Sequence, residues 1–289
     1  MKKIITAMLC VALLAGCTAK NAEDPQSTVS STQSTQSTQA TDTTQTTTNV
    51  AQTTVEITGV DTANYSGEKV VWGPGRAEDH QRPADPVSLQ KEYGDLGATF
   101  IMEDESYICL TFDEGYENGY TPAILDTLKE KNVKAIFFVT YDFARDNPDL
   151  IERMIDEGHV IGNHSYRHYT MDEVSQEEAT EEIVFLDNYM KDTFKYRMTL
   201  FRFPKGEFSE KTLALADSLG YSSVFWSFAY EDWDSQNPSD PEEALKTITD
   251  HTHNGEIMLL HAVSQTNAEI LGDVIDEARN QGYEFTVEI

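Results

Sequence analysis

Leu110-Thr-Phe-Asp-Glu-Gly115 ends an apolar run that begins at Tyr107, and Gly162-Asn-His-Ser-Tyr-Arg-His168 follows further along the chain. The first segment places two adjacent carboxylates at the end of a predicted β-strand, and the second offers two histidines four residues apart. A carboxylate with two imidazoles is a ligand set that hydrolytic divalent metals use, with one position left open for water. The other carboxylate has the chemistry of a general base. The two segments therefore predict a catalytic centre.

Two local expectations describe how these side chains would meet. If the chain turns into a helix after Gly162, the i,i+4 spacing puts His164 and His168 on one side of it. Gly115 predicts a tight turn after the strand that points both Asp113 and Glu114 into a site. The alternatives are a solvent-facing histidine pair and a solvated acidic turn.

Strand and helix signals alternate from Ser106 onward, which is typical of an α/β fold. Apolar, β-branched runs predict seven strands, near 107–112, 134–140, 159–162, 198–203, 221–226, 256–261 and 283–288. The clearest helix signal begins at Asn147-Pro148, a capping and first-turn pair, and ends at Gly158. Its apolar face consists of Leu150, Ile151, Met154 and Ile155. Such a chain forms either a parallel barrel or an open doubly wound sheet.

The positions of the polar candidates favour the barrel. Asp113, His164, Arg202 and His261 fall at or just after the C-terminal ends of predicted strands, and Trp233 follows in a loop. In a βα barrel these ends converge on one face, where catalytic residues lie. We therefore predict a distorted (β/α) barrel of about seven strands.

The N-terminus predicts export. Residues 1–16 read as a signal peptide, because Lys2 and Lys3 precede an apolar run that is too short to span a bilayer. Leu14-Ala-Gly-Cys17 resembles a lipobox, which predicts lipidation of Cys17 and membrane attachment through the lipid alone. The alternative is an ordinary secretory signal with an incidental cysteine. We expect the protein on the outer face of the cytoplasmic membrane, facing the cell wall.

Composition divides the remaining chain into three parts. Residues 17–53 hold the lipidated cysteine and a Thr/Ser/Gln-rich stretch too polar to bury a core, which we interpret as a disordered tether or a low-complexity tail. Residues 54–105 form a turn-rich N-terminal extension whose aromatic residues predict packing on the following domain. The catalytic domain is expected at 106–289, with Cys109 as its one cysteine and hence without an intrachain disulfide.

Charge narrows the class of partner. The chain carries a net charge of −29, from 21 basic and 50 acidic residues. A surface of this kind argues against nucleic acid, whose phosphates bind Lys and Arg, and against adhesion to anionic lipid. We expect a monomer.

With these motifs, the chain resembles a known family, the polysaccharide deacetylases of the NodB-homology type (carbohydrate esterase family 4). Five segments are similar to the family's motifs, in the family's order: 111–115, 164–168, Arg202-Phe-Pro-Lys-Gly206, Asp232-Trp233 and Leu259-Leu-His261. Further strings, at 112–121, 208–212, 224–227, 261–269 and in the N-terminal extension, resemble the delta-lactam-forming peptidoglycan de-N-acetylases, which act on N-acetylmuramic acid. The resemblance covers roughly 67–289 and implies a distorted βα barrel.

The resemblance also implies a role for each site residue. Asp113 would be the general base, held and kept ionised by Arg202, and His261 the general acid, with Asp232 raising its pKa. A divalent metal, Zn²⁺ foremost and Mn²⁺, Co²⁺ or Ni²⁺ as alternatives, would polarise the acetyl carbonyl. The implied metal ligands are Glu114, His164 and His168, and the implied substrate-binding residues are Lys205 through its backbone N–H, and Trp233 and Leu259 around the acetyl methyl group.

Two departures from the family pattern matter. Glu114 stands where the family has Asp and the delta-lactam subgroup Asn, and Lys205 stands where many members have an aromatic residue. The expected activity is metal-dependent removal of N-acetyl groups from cell-wall glycan. Its rivals are an O-acetyl esterase and, because of Glu114, a catalytically weak glycan-binding homologue. His80, His159, His251 and His253 receive no catalytic role.

Overall fold

The computed structural model describes residues 61–289, which lie within one compact unit. The predicted signal peptide, the lipidated Cys17, the tether at 17–53 and the first residues of the extension lie outside the described residues. Within the described part, none of the helices is both long and apolar enough to cross a membrane.

The described strands are short except for two central ones, β3 and β10. They are β1 Val70–Val71, β2 Ala98–Thr99, β3 Tyr107–Glu114, β4 Ile136–Val139, β5 Val160–Asn163, β6 Leu200–Phe201, β7 Glu207–Phe208, β8 Ser222–Val224, β9 Phe228–Ala229, β10 Glu256–His261 and β11 Glu284–Phe285. β1 and β7 form a small antiparallel pair, and the other strands form one sheet in the order β2-β8-β6-β5-β4-β3-β10-β9, with β11 beside β3.

All the strand pairs of this sheet are parallel. Pairing runs from β2 to β9 without returning to β2 in the described residues, so the sheet is an open half-barrel. The predicted barrel-type fold is confirmed, and each of the seven predicted runs contains a strand. The additional strands of the sheet, β2 and β9, have two residues each, too short to show a hydrophobic pattern.

In the described part of the chain, eight α-helices cover the sheet. They are α1 Ala84–Tyr93, α2 Thr121–Glu130, α3 Tyr141–Asp146, α4 Pro148–Asp156, α5 Gln176–Phe194, α6 Glu210–Ser218, α7 Pro241–His251 and α8 Gln265–Asn280. The predicted helix at 147–158 is α4, and its face packs as expected, with Ile151 and Met154 fully buried. The Asn147 side chain, however, donates to the carbonyl of Phe143 in α3 instead of capping α4.

The described part of the N-terminal extension packs on the half-barrel and also contributes to it. β2 pairs with β8, so this strand belongs to the sheet although it precedes residue 106. The Trp72 side chain is buried and its Nε1–H donates to the carbonyl of Trp226 at 3.1 Å. Residues 70–76 therefore lie beside the C-terminal ends of the strands.

Candidate active site

A cleft of about 770 Å³ opens at the C-terminal ends of the parallel strands. Strand register places its centre, because Asp113 at the end of β3 pairs directly with His261 at the end of β10. The predicted site residues that line this cleft are Asp113, His164, His168, Lys205, Trp233, Leu259 and His261.

Arg202 is fully buried and fixes Asp113 from below. Its Nη1 donates to Asp113 Oδ1 at 2.9 Å and to the hydroxyl of Thr111 at 2.8 Å. Its Nε and Nη2 donate to the carbonyls of Val224 and Phe225 at 3.0 Å. Each of these hydrogen bonds ends on an acceptor that the strands hold in place. The guanidinium therefore has one position, and it orients the Asp113 carboxylate. Sequence reasoning missed Thr111, although residues two apart on a strand share a face.

The Arg202 guanidinium also lies over the ring of Phe138, 4.1 Å from the ring centroid. Phe138 pairs in register with Gly162, and a Cβ atom at Gly162 would overlap the Phe138 ring. Glycine is therefore required at this position so that the aromatic ring can support the arginine.

Asp113 is ionised in this environment. Burial raises its pKa, but the charges of Arg202, His164 and His261 outweigh burial, and the net pKa lies below the usual value. A carboxylate that stays deprotonated and faces an open cleft is suited to accept a proton from water.

His164 and His168 meet as predicted, but by another route. Their Nε2 atoms are 3.2 Å apart, and His164 Nε2 is 3.5 Å from Asp113 Oδ2. The expected helix is not there: residues 164–168 form a loop in which Ser165 and His168 have positive φ values of 74° and 59°. The two histidines are therefore close together as predicted, but a loop brings them together and not the predicted helix.

Residues outside the motif hold this loop in place. The buried Glu182 on α5 accepts from the backbone N–H and the Nε of Arg167, both at 2.7 Å. Asn163 accepts from the Ser165 N–H at 2.8 Å, and Ser165 Oγ accepts from the His168 N–H at 2.9 Å. Nothing in the sequence pattern pointed to Glu182, because its contact with Arg167 joins a helix to a loop and follows no local spacing rule.

Glu114 does not join the histidines, contrary to the sequence-based expectation. Successive side chains of a strand point to opposite faces, so Asp113 faces the cleft while Glu114 faces α2. There Glu114 is fully buried, and its Oε1 accepts from the Thr121 hydroxyl at 3.3 Å. Gly115 does not turn both carboxylates to one side.

This burial predicts a pH-dependent effect of Glu114→Gln on stability. Burial, and then the nearby Glu117 carboxylate, raises the pKa of Glu114 well above its usual value. The folded protein holds this proton above pH about 4.3, where the unfolded chain loses it, so Glu114 lowers the free energy of unfolding as pH rises. Glu114→Gln removes this loss, by about 1.4 kcal/mol for every tenfold weakening of the acid.

Urea unfolding at pH 4.5, 6 and 8 measures the effect. The advantage of Glu114→Gln over wild type should grow with pH. A difference that is constant across the three values would contradict a buried, protonated Glu114.

The two imidazoles fit a divalent metal as a pair. The carbonyl of Arg202 lies 2.9 Å from His164 Nδ1, which makes Nδ1 the donor and leaves the Nε2 lone pair facing His168 Nε2. Tetrahedral ligands bound at about 2.0–2.1 Å are separated by about 3.3 Å, close to the observed spacing. Among residues 61–289, no group of three or more His, Cys, Asp or Glu side chains could hold a metal ion. The site therefore offers two nitrogen ligands and lacks the expected third ligand from Glu114.

His261 is held by a buried carboxylate. Asp232 Oδ1 accepts from the imidazole Nδ1 of His261 at 2.7 Å, and Asp232 Oδ2 accepts from the backbone N–H of His261 at 2.8 Å. Asn267 at the start of α8 donates to the same Oδ2 at 2.6 Å, and the Tyr230 hydroxyl donates to Asn267. Burial lowers the pKa of His261, but Asp232 outweighs it, and the net pKa is raised. Sequence reasoning missed Tyr230 and Asn267.

Asp232→Asn should therefore change the pH dependence of catalysis. Without the Asp232 charge, burial dominates and the pKa of His261 falls, so the acid form is lost at lower pH. We expect the alkaline limb of the kcat/KM profile to move to lower pH, with a loss of about 10–100-fold at pH 8. A profile that keeps its shape in Asp232→Asn would exclude His261 as the acid.

The walls of the cleft contain the remaining candidates. Trp233 is 54% exposed and its ring centroid is 6.0 Å from that of His261, so it is not a core residue. Leu259 is buried and forms part of the floor. Lys205 has a left-handed backbone conformation (φ 61°, ψ 4°). Tyr116, 53% exposed, also lines the cleft and was not predicted.

The four remaining histidines lie away from the lining of the cleft. His159 is buried and accepts from the Ala135 N–H at 3.2 Å, which agrees with a structural role. His253 lies in the loop before β10 and is fully buried, with its Nε2 2.8 Å from the Ser227 hydroxyl.

Comparison with known proteins identifies the family of the chain. The polysaccharide deacetylase family model matches residues 102–224. The chain is 41% identical to the peptidoglycan-N-acetylmuramic acid deacetylase PdaA of Bacillus subtilis over 220 residues, which covers 75% of this chain and 84% of PdaA. The structure of PdaA, a family 4 carbohydrate esterase, aligns with a TM-score of 0.73 at 39% identity over 76% of this chain and 95% of that chain.

Two further relatives show the range of this similarity. A peptidoglycan-N-acetylglucosamine deacetylase of Listeria monocytogenes is 34% identical over 62% of this chain and 37% of its own length. A family 4 pseudoenzyme from Bacillus anthracis aligns with a TM-score of 0.62 at 25% identity, covering 65% of this chain and 66% of that chain. The chain belongs to the polysaccharide deacetylase family, carbohydrate esterase family 4.

Proposed function

We propose that this protein removes N-acetyl groups from the glycan of the cell wall, acting on N-acetylmuramic acid residues of peptidoglycan. The observation that carries the proposal is the cleft itself, where a carboxylate fixed by Arg202 and an imidazole fixed by Asp232 end on paired strands. A base and an acid at the ends of neighbouring strands, both open to one cleft, can supply the two proton transfers that amide hydrolysis needs.

Each residue then has a chemical task. Asp113 accepts a proton from the attacking water, whose oxygen forms a bond to the acetyl carbon. His261, in its protonated form, gives a proton to the departing nitrogen as the C–N bond breaks, so acetate and a free amine result. The backbone N–H of Lys205 stabilises the oxyanion, and Trp233 and Leu259 enclose the methyl group.

His164 and His168 are the residues that would hold a divalent metal, with Zn²⁺ preferred and Mn²⁺, Co²⁺ or Ni²⁺ as alternatives. When bound, such a metal polarises the acetyl carbonyl and lowers the pKa of water. The ligand role expected for Glu114 is not part of the proposal, because its carboxylate faces α2.

Similarity supports the muramic substrate, since PdaA is a peptidoglycan-N-acetylmuramic acid deacetylase. The Listeria relative acts on N-acetylglucosamine, and this sugar is the alternative substrate. The N-terminal sequence adds the place of action: an exported lipoprotein, tethered by Cys17 to the outer face of the cytoplasmic membrane. Retention of the wild type in the membrane fraction and release of Cys17→Ser to the medium would test that attachment.

Mass spectrometry of acetyl loss from purified glycan strands tests the activity. The protein is assayed metal-free, with each divalent metal, and as His164→Ala, with Glu114→Gln as the control carboxylate. We expect deacetylation that metal restores, that His164→Ala abolishes and that Glu114→Gln retains. Bound metal, measured by mass spectrometry, should be present in wild type and Glu114→Gln and lost in His164→Ala.

Two outcomes would replace the proposal. Acetyl loss from O-acetylated but not N-acetylated strands would indicate an esterase. Binding of strands without acetyl loss under any metal condition would indicate a glycan-binding homologue without activity. The Bacillus anthracis relative is a pseudoenzyme of the same family.

A further inference from the structure

The N-terminal extension builds one wall of the cleft next to Lys205. Val70 and Val71 pair with Phe208 and Glu207, and the Trp72 N–H donates to the carbonyl of Gly206 at 3.0 Å. The segment 73–76 continues from this anchor and contributes three residues to the lining: Gly73, Pro74 and Arg76. The cationic side chain of Arg76 is thus delivered to the cleft by a fixed segment.

Arg76 and Lys205 lack the carboxylate partner that most other Arg and Lys side chains of the described residues have. Both are exposed and line the cleft. Within residues 61–289 Arg76 forms no hydrogen bond or ion pair, and Lys205 donates only to the Thr170 hydroxyl, at 3.3 Å. With 50 acidic residues in the chain, carboxylate partners for arginine are abundant, yet none of the described ones pairs with Arg76.

Among residues 61–289, no carboxylate forms an ion pair with Arg76 or Lys205; Glu207, the carboxylate that interacts with Lys205 through its charge, is bound by Lys69 and Thr170. Asp113 is bound to Arg202, and the other carboxylate of the lining, Glu231, lies in the loop after β9. The wall formed by Arg76 and Lys205 therefore offers an unpaired guanidinium and an ammonium to whatever enters. A guanidinium presents parallel N–H donors that match the two oxygens of a carboxylate.

We propose that Arg76, assisted by Lys205, forms a subsite for a carboxylate carried by the substrate. This inference rests on the proposed function. Muramic acid differs from glucosamine by a lactyl ether at O3, which ends in a carboxylate when no stem peptide is attached and in an amide when one is. The carboxylate can thus come from the lactyl group or from the stem peptide. In either case Arg76 distinguishes muramic from glucosamine residues.

Full-length protein is tested with three forms of one oligosaccharide: the free lactyl acid, its carboxamide, and the form with a stem peptide. Wild type, Arg76→Gln and Arg197→Gln are compared by KM and kcat for amine release. Arg197 is exposed and outside the lining of the cleft, so its variant removes the same charge elsewhere. Equilibrium binding of the three forms is measured in parallel.

We expect Arg76→Gln to raise KM about tenfold for the form whose carboxylate Arg76 binds, either the free lactyl acid or the stem-peptide form, with little change in kcat. Arg197→Gln should behave as wild type. Dependence on Arg76 for the free acid but not the carboxamide assigns the lactyl group, and dependence for the peptide form alone assigns the stem peptide. Equal preferences in wild type and Arg76→Gln, or equal losses in both arginine variants, would overturn the subsite. If no form is deacetylated, the proposed function fails, and the binding measurements still decide the subsite.

Discussion

Asp113→Asn should lower kcat for deacetylation by about 10³-fold and leave KM nearly unchanged, since a positioned general base contributes about 10²–10⁴-fold. The carboxylate faces the cleft, is held by Arg202 and has a pKa below its usual value. Asparagine keeps the shape and can still accept from Arg202, but it cannot take a proton from water. Initial rates of acetate release over a range of substrate concentrations separate kcat from KM.

The neighbouring carboxylate provides the matched control for this prediction. Glu114→Gln makes the same chemical change one residue later, on the face that points to α2. It should keep at least half of the wild-type kcat. Equal losses in the two variants would show that the carboxylates act together and that the assignment to Asp113 alone is wrong. Near-wild-type activity in Asp113→Asn would move the base to another residue.

The sheet could be predicted from the sequence because buried parallel strands read as continuous apolar runs. β3 and β4 are of this kind, and both were found within a few residues. β9 has two residues and could not be recognised in this way, although it pairs with β10 at the edge of the cleft. The half-barrel was thus predictable from its long strands, whereas the short strand β9 that extends it beside β10 was not.

The candidate site also has a part that the sequence predicts and a part that it does not. Asp113 and His261 could be brought together because parallel strand ends share an edge. The period of a strand predicts that Asp113 and Glu114 point to opposite faces, whereas the family motif predicts that both serve the site. The loop that carries His168 depends on Glu182, and the orientation of His261 depends on Asn267. Such partners are set by tertiary contacts and leave no local pattern.

Arg202→Met should destabilise the protein by about 3–5 kcal/mol, because removing one partner of a buried ion pair leaves the other charge unpaired. Arg202 is fully buried and bonds to Asp113, Thr111 and the carbonyls of Val224 and Phe225. Methionine fills much of the volume of the arginine stem but satisfies none of these acceptors. Urea unfolding at pH 7 measures the loss. At pH 7 the surviving activity should also be low, since burial alone raises the pKa of Asp113.

A double-mutant cycle separates the ion pair from the volume of the side chain. Asp113→Asn with Arg202→Met removes both charges, so its loss of stability should be smaller than the sum of the two single losses. Arg145 gives the control, because it pairs with Asp142 and Asp146 at the surface with a 46% exposed side chain. Arg145→Met should cost less than about 1 kcal/mol. If the losses in the cycle are additive, the charge of Arg202 is not neutralised by Asp113, and the low pKa of this carboxylate needs another source.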